Sequence, residues 1–325
     1  MNESNVSRLP PLHHVTSSSV KGTVWACAFG AESFLIVVSN LLTVAVFLTG
    51  RQLRKRSTYC LLNLSAADLL VGAIPMPMFV YLIGVHHSLW ELTWDMSSWR
   101  NVYMPVDMMC AFSSIFCLVL LALERIYATL MPFRHRQLAD RGYLFAIIAV
   151  WSAACTISLA SYFSLAIFHS QPMSTYIPMT SLCIAVLIMV ISYFLIWFKV
   201  KCHNNTHGEG CHVGRKMTYE RKLAKTLFIV TTASLLAWLP FVVTSTAASF
   251  YKITLDFEIV LAVKLLHYSN SLINPVIYTF KIREFRRALS GMVRGRTSSF
   301  ALQSGHVPLE VIRSFENLRI ASLRS

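Results

Sequence analysis

The chain has 325 residues, 55% of them hydrophobic and only 14% charged, and a formal net charge of +14. Soluble domains carry roughly a quarter charged residues, so this composition excludes an ordinary water-soluble fold and points to lipid as the solvent for much of the chain. A charge this positive would also suit nucleic acid, but the basic residues cluster where a membrane protein needs them, and that class is excluded too.

In chain order, residues 1–20 are polar and lack the apolar core of a cleavable signal peptide. Asn2 and Asn5 each begin an Asn-x-Ser sequon, the acceptor pattern for glycosylation of an exposed segment. Residues 1–24 are therefore read as an extracellular tail. Apolar stretches follow near 25–48, 58–84, 101–131, 143–168, 176–200, 223–250 and 257–280. Each is long enough to cross a bilayer, which takes about 20 helical residues. Helices are expected, because lipid cannot satisfy an open backbone. Residues 25–280 thus form an all-α, seven-helix transmembrane unit. Residues 281–293 place Ile282, Phe285, Leu289 and Val293 on one side with basic residues between them, the pattern of a helix lying in the membrane interface against anionic lipid. Residues 294–325 read as a cytoplasmic tail. Its Thr297, Ser298 and Ser299 are either phosphorylation sites or part of a plain solvated tail.

Lys and Arg set the orientation. The loop after the first stretch holds Arg51, Arg54, Lys55 and Arg56, and the loop after the third holds Arg134, Arg136 and Arg141. The fifth loop and the C-terminal segment are richer still, whereas the opposite side carries only Arg8, Lys21, Arg100 and Lys252. The N-terminus is expected outside and the C-terminus inside, in a multi-pass plasma-membrane protein.

Ionisable groups inside a span are costly, and each is a functional candidate. In the third span Asp107, Ser114 and Arg125 lie seven and eleven residues apart, on one helix face. From Asp107 to Arg125 is about 27 Å at 1.5 Å per residue. A carboxylate thus faces the bundle near its outer mouth and a guanidinium sits at the inner edge. Asp68, Asn40, Asn270 and Asn274 add polar groups to other spans, and Tyr193 and Tyr278 mark inner halves. The eight cysteines are scattered, mostly in apolar stretches, and give no disulfide framework.

The order of these residues resembles the rhodopsin-like (class A) G-protein-coupled receptor family over all seven spans. The matching signatures are Asn40, Leu64-Ser65-Ala66-Ala67-Asp68, Glu124-Arg125-Ile126, Trp151, Trp238-Leu239-Pro240-Phe241 and Asn274-Pro275-Val276-Ile277-Tyr278. Within the family, residues 220–227 and 281–289 look most like biogenic-amine receptors, and the stretch around 270–285 also resembles adenosine receptors.

The resemblance implies a signalling receptor, not an enzyme. It binds a small extracellular ligand, a cationic amine by this reading, and activates a heterotrimeric G protein. Asp107 matches the amine-binding carboxylate and Tyr268 the tyrosine facing it, with Trp238, Phe241, Ala111 and Ser181 as further ligand contacts. Lys264 lies one turn outward from Tyr268. It has three open roles: pairing with Asp107, repelling an amine, or binding an acidic group. A retinal Schiff base is not expected there, since the opsin lysine would fall at Tyr268. Asp68, Ser114, Asn270, Ser271 and Asn274 resemble the family's internal sodium site, an oxygen set suited to a hard cation; otherwise they form a water-filled polar network. No cofactor is expected beyond this allosteric Na+. Arg125 matches the G-protein switch, pairing with Glu124 and with Glu220 when inactive and released near Tyr193 and Tyr278 when active. The Asn274-Pro275 step belongs to the same switch, and Pro132-Phe133 matches the plug against the Gα subunit. Arrestin and a receptor kinase are further implied partners.

The chain departs from the pattern in places. Arg100 stands where the family has the cysteine of its outer disulfide, and the loop near 169–176 has no cysteine. Ala185 replaces a proline in the fifth span and Ser234 a phenylalanine in the sixth. Ile177 and Pro178 occupy positions where catechol-binding serines would stand. The cluster Cys202, His203, His207, Cys211 and His212 fits no standard metal spacing and reads as a linker. Neither the internal repeats of a transporter nor a nucleophile–base pair is present. The competing receptor readings are a nucleoside, lipid or peptide ligand, with Asp107 and Lys264 paired, and a constitutively active receptor without a ligand.

Overall fold

The computed structural model describes residues 12–50, 57–91, 95–137, 140–168, 171–204, 211–251 and 253–293. Ten helices order these residues: α1 (Leu12–Thr49), α2 (Ser57–Ala73), α3 (Pro75–His86), α4 (Met96–Leu130), α5 (Pro132–Gln137), α6 (Asp140–Ala166), α7 (Gln171–Asn204), α8 (Cys211–Tyr251), α9 (Phe257–Lys281) and α10 (Arg283–Val293). Helix α1 begins within the segment read as the N-terminal tail, so the helix and the apolar span have different starts. The sequons at Asn2 and Asn5 lie outside the described residues.

The second span is two helices because Pro75 removes a backbone donor and Ile74 before it is held from regular helical continuation. Among the described residues, six helical stretches are long and apolar enough to cross a bilayer: Ser19–Thr49, Thr58–His86, Ser98–Leu130, Asp140–Ala166, Met173–Lys199 and Thr232–Tyr251. Helix α9 is the seventh. Its 25 residues reach about 37 Å, but Glu258, Lys264 and Lys281 lower its apolarity. Asp256 caps its start by accepting a hydrogen bond from the Glu258 amide at 3.1 Å.

Helix α4 runs through the middle of the bundle, packing against α2, α3, α6, α7 and α8. Lipid gives no hydrophobic drive between helices, so close packing and polar links must hold them. A Cβ on Gly72 would meet Ile36 Cγ2 at 2.9 Å, which marks a tight α1–α2 crossing. Ser33 donates to the Gly72 carbonyl at 2.7 Å, and Asn40 donates to the Ser271 carbonyl at 3.1 Å. Trp151 donates to Asn63 Oδ1 at 3.0 Å, joining α6 to α2. Ser158 donates to the Pro105 carbonyl at 2.5 Å, joining α6 to α4.

The short second inner loop forms helix α5. Helix α10 starts at Arg283, two residues later than the sequence suggests, because Lys281 completes α9. Its Phe285 is buried against Phe47 and Tyr278, with ring centroids 5.4 and 6.2 Å away.

At the outer end, the described cysteines are all free. Aromatic contacts order this region instead. Trp90 Nε1 donates to the Tyr81 carbonyl at 2.9 Å and Tyr81 packs on Trp99 at 4.8 Å. His86 lies 3.8 Å from the Phe257 ring, and Trp25 donates to the Glu258 carboxylate. These contacts tie α1, α3 and the start of α4 to α9.

Candidate functional site

Helices α4 and α9 bring Asp107 and Lys264 together as an ion pair. Tyr268, one turn inward from Lys264, donates to Asp107 Oδ1 at 2.7 Å, and its hydroxyl meets that of Tyr103 at 3.0 Å. The Lys264 ammonium stands 4.9 Å from the Tyr268 ring centroid, 5.4 Å from Phe241, and 5.5 Å from Phe79 and from Tyr103. One carboxylate and four aromatic faces thus surround one ammonium, which is the arrangement that cation–π and charge pairing both favour.

Below the pair lies a small, partly open cavity with room for about one water molecule, lined by Asp107, Ala111, Ser114, Trp238, His267, Tyr268 and their neighbours. Small-molecule sites run from about 300 Å³ upward, so the surrounding side chains must move apart to admit a ligand here. His267 stacks on Phe241 at 4.7 Å and meets Trp238 edge-on at 4.1 Å. Among the described residues Trp238 Nε1, His267 Nδ1 and Asn270 Oδ1 are buried without a hydrogen-bond partner. The cavity floor therefore offers polar atoms with unmet capacity.

Ser114 in the cavity wall links it to Asp68. Ser114 donates to Asp68 Oδ1 at 2.7 Å and Asn274 Nδ2 donates to Oδ2 at 2.6 Å. The amide oxygens of Asn270 and Asn274 accept no hydrogen bond. With Ser271 also lining the cavity, this is an oxygen-rich set around one carboxylate, and its chemistry fits a hard monovalent cation.

At the inner end Arg125 Nε donates to Glu124 at 2.5 Å. The other Glu124 oxygen meets His135 Nε2 at 2.9 Å, and the Tyr143 hydroxyl lies 3.2 Å from that same nitrogen. Glu124 and Arg125 are both buried, and α5 is tethered to them through His135. Phe133 on α5 is 79% exposed. The side chains of Pro132 and Glu220 lie outside the described residues, as do those of the Cys202–His212 cluster. Tyr193 and Tyr278 are buried nearby, the latter with its hydroxyl unpartnered.

The structure thus unites Asp107, Lys264, Tyr268, Trp238, Phe241 and Ala111 around one pocket. Ser181 is not among the cavity residues; it donates back to the Ile177 carbonyl of its own helix at 2.8 Å. Tyr103, Phe79 and His267 are site residues that sequence reasoning missed. Tyr103 stands four residues before Asp107, one turn outward on the same face, and that spacing was the available signal. His267 and Phe79 gave none, since an aromatic in an apolar span is usually packing.

A seven-helix membrane bundle with a buried charge pair near one end of α4 and the buried Glu124–Arg125 pair near the other has the architecture of a transmembrane receptor. The pattern described as "7 transmembrane receptor (rhodopsin family)" matches residues 39–278, and the chain belongs to that family. It is a multi-pass membrane protein and a receptor, not an enzyme, with a small-molecule ligand and a G protein as partners. Among curated relatives, the Alpha-1A adrenergic receptor of Bos taurus is 24% identical, over 90% of this chain and 71% of that protein. The 5-hydroxytryptamine receptor 4 of Cavia porcellus is 27% identical, over 83% of this chain and 79% of its own length. The Trace amine-associated receptor 7h of Rattus norvegicus is 28% identical, over 82% and 81%.

Proposed function

We propose that this receptor is activated by a small molecule carrying an ammonium group, which binds Asp107 from the extracellular side. The observation that carries the reading is that Asp107 and its aromatic walls already hold an ammonium, the one supplied by Lys264. A site that accommodates the chain's own cation has the charge and wall chemistry to hold a ligand's. The similarity to adrenergic, 5-hydroxytryptamine and trace amine-associated receptors supports the same class.

The ligand displaces Lys264 from Asp107 and fills the space above Trp238. An agonist acts by binding the active arrangement more tightly than the resting one. Activation releases Arg125 from Glu124 and opens the inner face to the G protein, where Phe133 docks. In this orientation the N-terminus is extracellular in the plasma membrane. Phosphorylation of the C-terminal tail by a receptor kinase and capture by arrestin complete the cycle. Na+ at Asp68, Ser114, Asn270, Ser271 and Asn274 stabilises the resting state.

The test is a G-protein activation screen of cells expressing the full chain against primary and secondary arylalkylamines, with Asp107→Asn alongside at matched surface level. The expected result is an amine response whose potency falls on the order of 100-fold in the variant, the loss typical when one partner of a desolvated charge pair is removed. Equal potency in both proteins refutes the amine reading. For the cation, added NaCl lowers agonist affinity in the native receptor but not in Asp68→Asn; equal salt sensitivity, with choline chloride as the ionic-strength control, removes Na+ from the account.

A second reading rests on the completeness of the Asp107–Lys264 pair, which could hold the receptor active without any ligand. Basal signalling equal in the native chain and in Arg125→Ala rules that reading out.

A further inference from the structure

The pocket holds two opposite charges, and a ligand with only one of them leaves the other stranded. If an ammonium takes Asp107, the Lys264 ammonium loses its carboxylate while remaining buried among Phe79, Tyr103, Phe241 and Tyr268. Two cations then face each other across a site with one anion. Removing one partner from a buried pair is far more costly than exchanging it. A ligand that brings its own carboxylate avoids this, since each buried charge trades one partner for another.

The arrangement of the groups fits such an exchange. Lys264 is one helical turn outward from Tyr268, and Tyr268 donates to the same carboxylate that Lys264 pairs with. The cavity extends inward from Asp107 past Ala111 to Trp238 and His267. The site thus has three parts: a cation above, an anion in the middle and a small chamber below, lined by Trp238, His267 and other polar side chains. We infer that the preferred ligand is a zwitterion, a small α-amino acid or close analogue. Its ammonium pairs with Asp107, its carboxylate pairs with Lys264, and its aromatic side chain packs toward Trp238, Phe241 and His267, which part to receive it. The inference rests on the reading that Asp107 binds a ligand ammonium, and names the class of molecule that carries it.

Matched pairs that differ only by the carboxylate test it: phenylalanine with 2-phenylethylamine, tyrosine with tyramine, and tryptophan with tryptamine. Each is applied to cells expressing the native chain, Lys264→Met, Lys264→Arg or Asp107→Asn, with surface level measured by an N-terminal epitope and G-protein activation as the readout. In the native receptor the amino acid of at least one pair is the more potent by about tenfold or more, a single tenfold step being 1.4 kcal/mol. Lys264→Met reverses that order, Lys264→Arg keeps it, and Asp107→Asn weakens both responses by on the order of 100-fold. Retention of the order in Lys264→Arg shows that Lys264→Met acts through charge and not through misfolding.

An amine response that depends on Asp107, with no amino-acid preference and no change of order in Lys264→Met, overturns the zwitterion while leaving the amine reading intact. An amino-acid response of undiminished potency in Asp107→Asn overturns both, because the ligand is then held as an anion. Silence toward all six probes in a receptor shown at the surface also overturns both for ligands of this class.

Discussion

Asp107 and Lys264 illustrate why a buried charge pair is fragile at the level of single residues. Each ion has lost most of its water; the partner compensates both, with the Tyr268 hydroxyl on Asp107 and four aromatic rings around Lys264 adding to it. Lys264→Met therefore leaves a carboxylate in a site built for a pair. The expected loss of stability is about 3–5 kcal/mol, measured as a fall in thermal unfolding temperature of purified receptor in detergent. The double variant Asp107→Asn/Lys264→Met removes both charges and recovers most of it. Additive losses in the double variant would show that the pair is not coupled. The same two residues also mark how far sequence reasoning reaches. Asp107 announces itself as a carboxylate in an apolar span. Lys264 was seen with three open roles, because one helix's register does not say what the neighbouring helix presents. The four rings around its ammonium come from α3, α4, α8 and α9, and their convergence is a property of packing that no single segment encodes.

At the scale of the elements, the seven spans were readable because lipid enforces length and apolarity on each helix. The break at Pro75 follows from the ring's missing donor. Helix α5 was not foreseen as a helix, since six residues with three basic side chains carry no periodic signal; the Glu124–His135–Tyr143 contacts hold it. The amphipathic α10 was legible from Ile282, Phe285 and Leu289, but its docking on α1 and α9 was not. That docking predicts a specific effect. Phe285→Ala empties a buried site against Phe47 and Tyr278, with a loss of about 3 kcal/mol. Differential scanning of the purified receptor should show the lower unfolding temperature, while Phe280→Ala, at an exposed ring on α9, should leave it nearly unchanged. Equal effects of the two would mean that α10 does not pack as described.

Across the whole molecule, the charged pocket and the arginine switch sit at opposite ends of α4, and the Asp68 network lies between them. Cavity residues Ser114, Asn270 and Ser271 are shared between the outer pocket and that network, so a ligand that repacks the chamber also disturbs the groups around Asp68. The outer mouth is ordered by tryptophan and tyrosine contacts in place of the family's disulfide. That difference follows from Arg100 and a cysteine-free loop, both visible in the sequence; the aromatic substitute was not, since it joins residues from four separate helices. We propose that charge exchange at Asp107 is converted into G-protein activation through Arg125. The most direct measurement is nucleotide exchange on purified heterotrimeric G protein by the receptor in lipid discs, using the most potent agonist from the paired screen. The native chain should accelerate exchange in proportion to agonist occupancy, Asp107→Asn should require on the order of 100-fold more agonist, and Arg125→Ala should bind agonist yet give no acceleration. Undiminished agonist-driven exchange in both variants would contradict the claim.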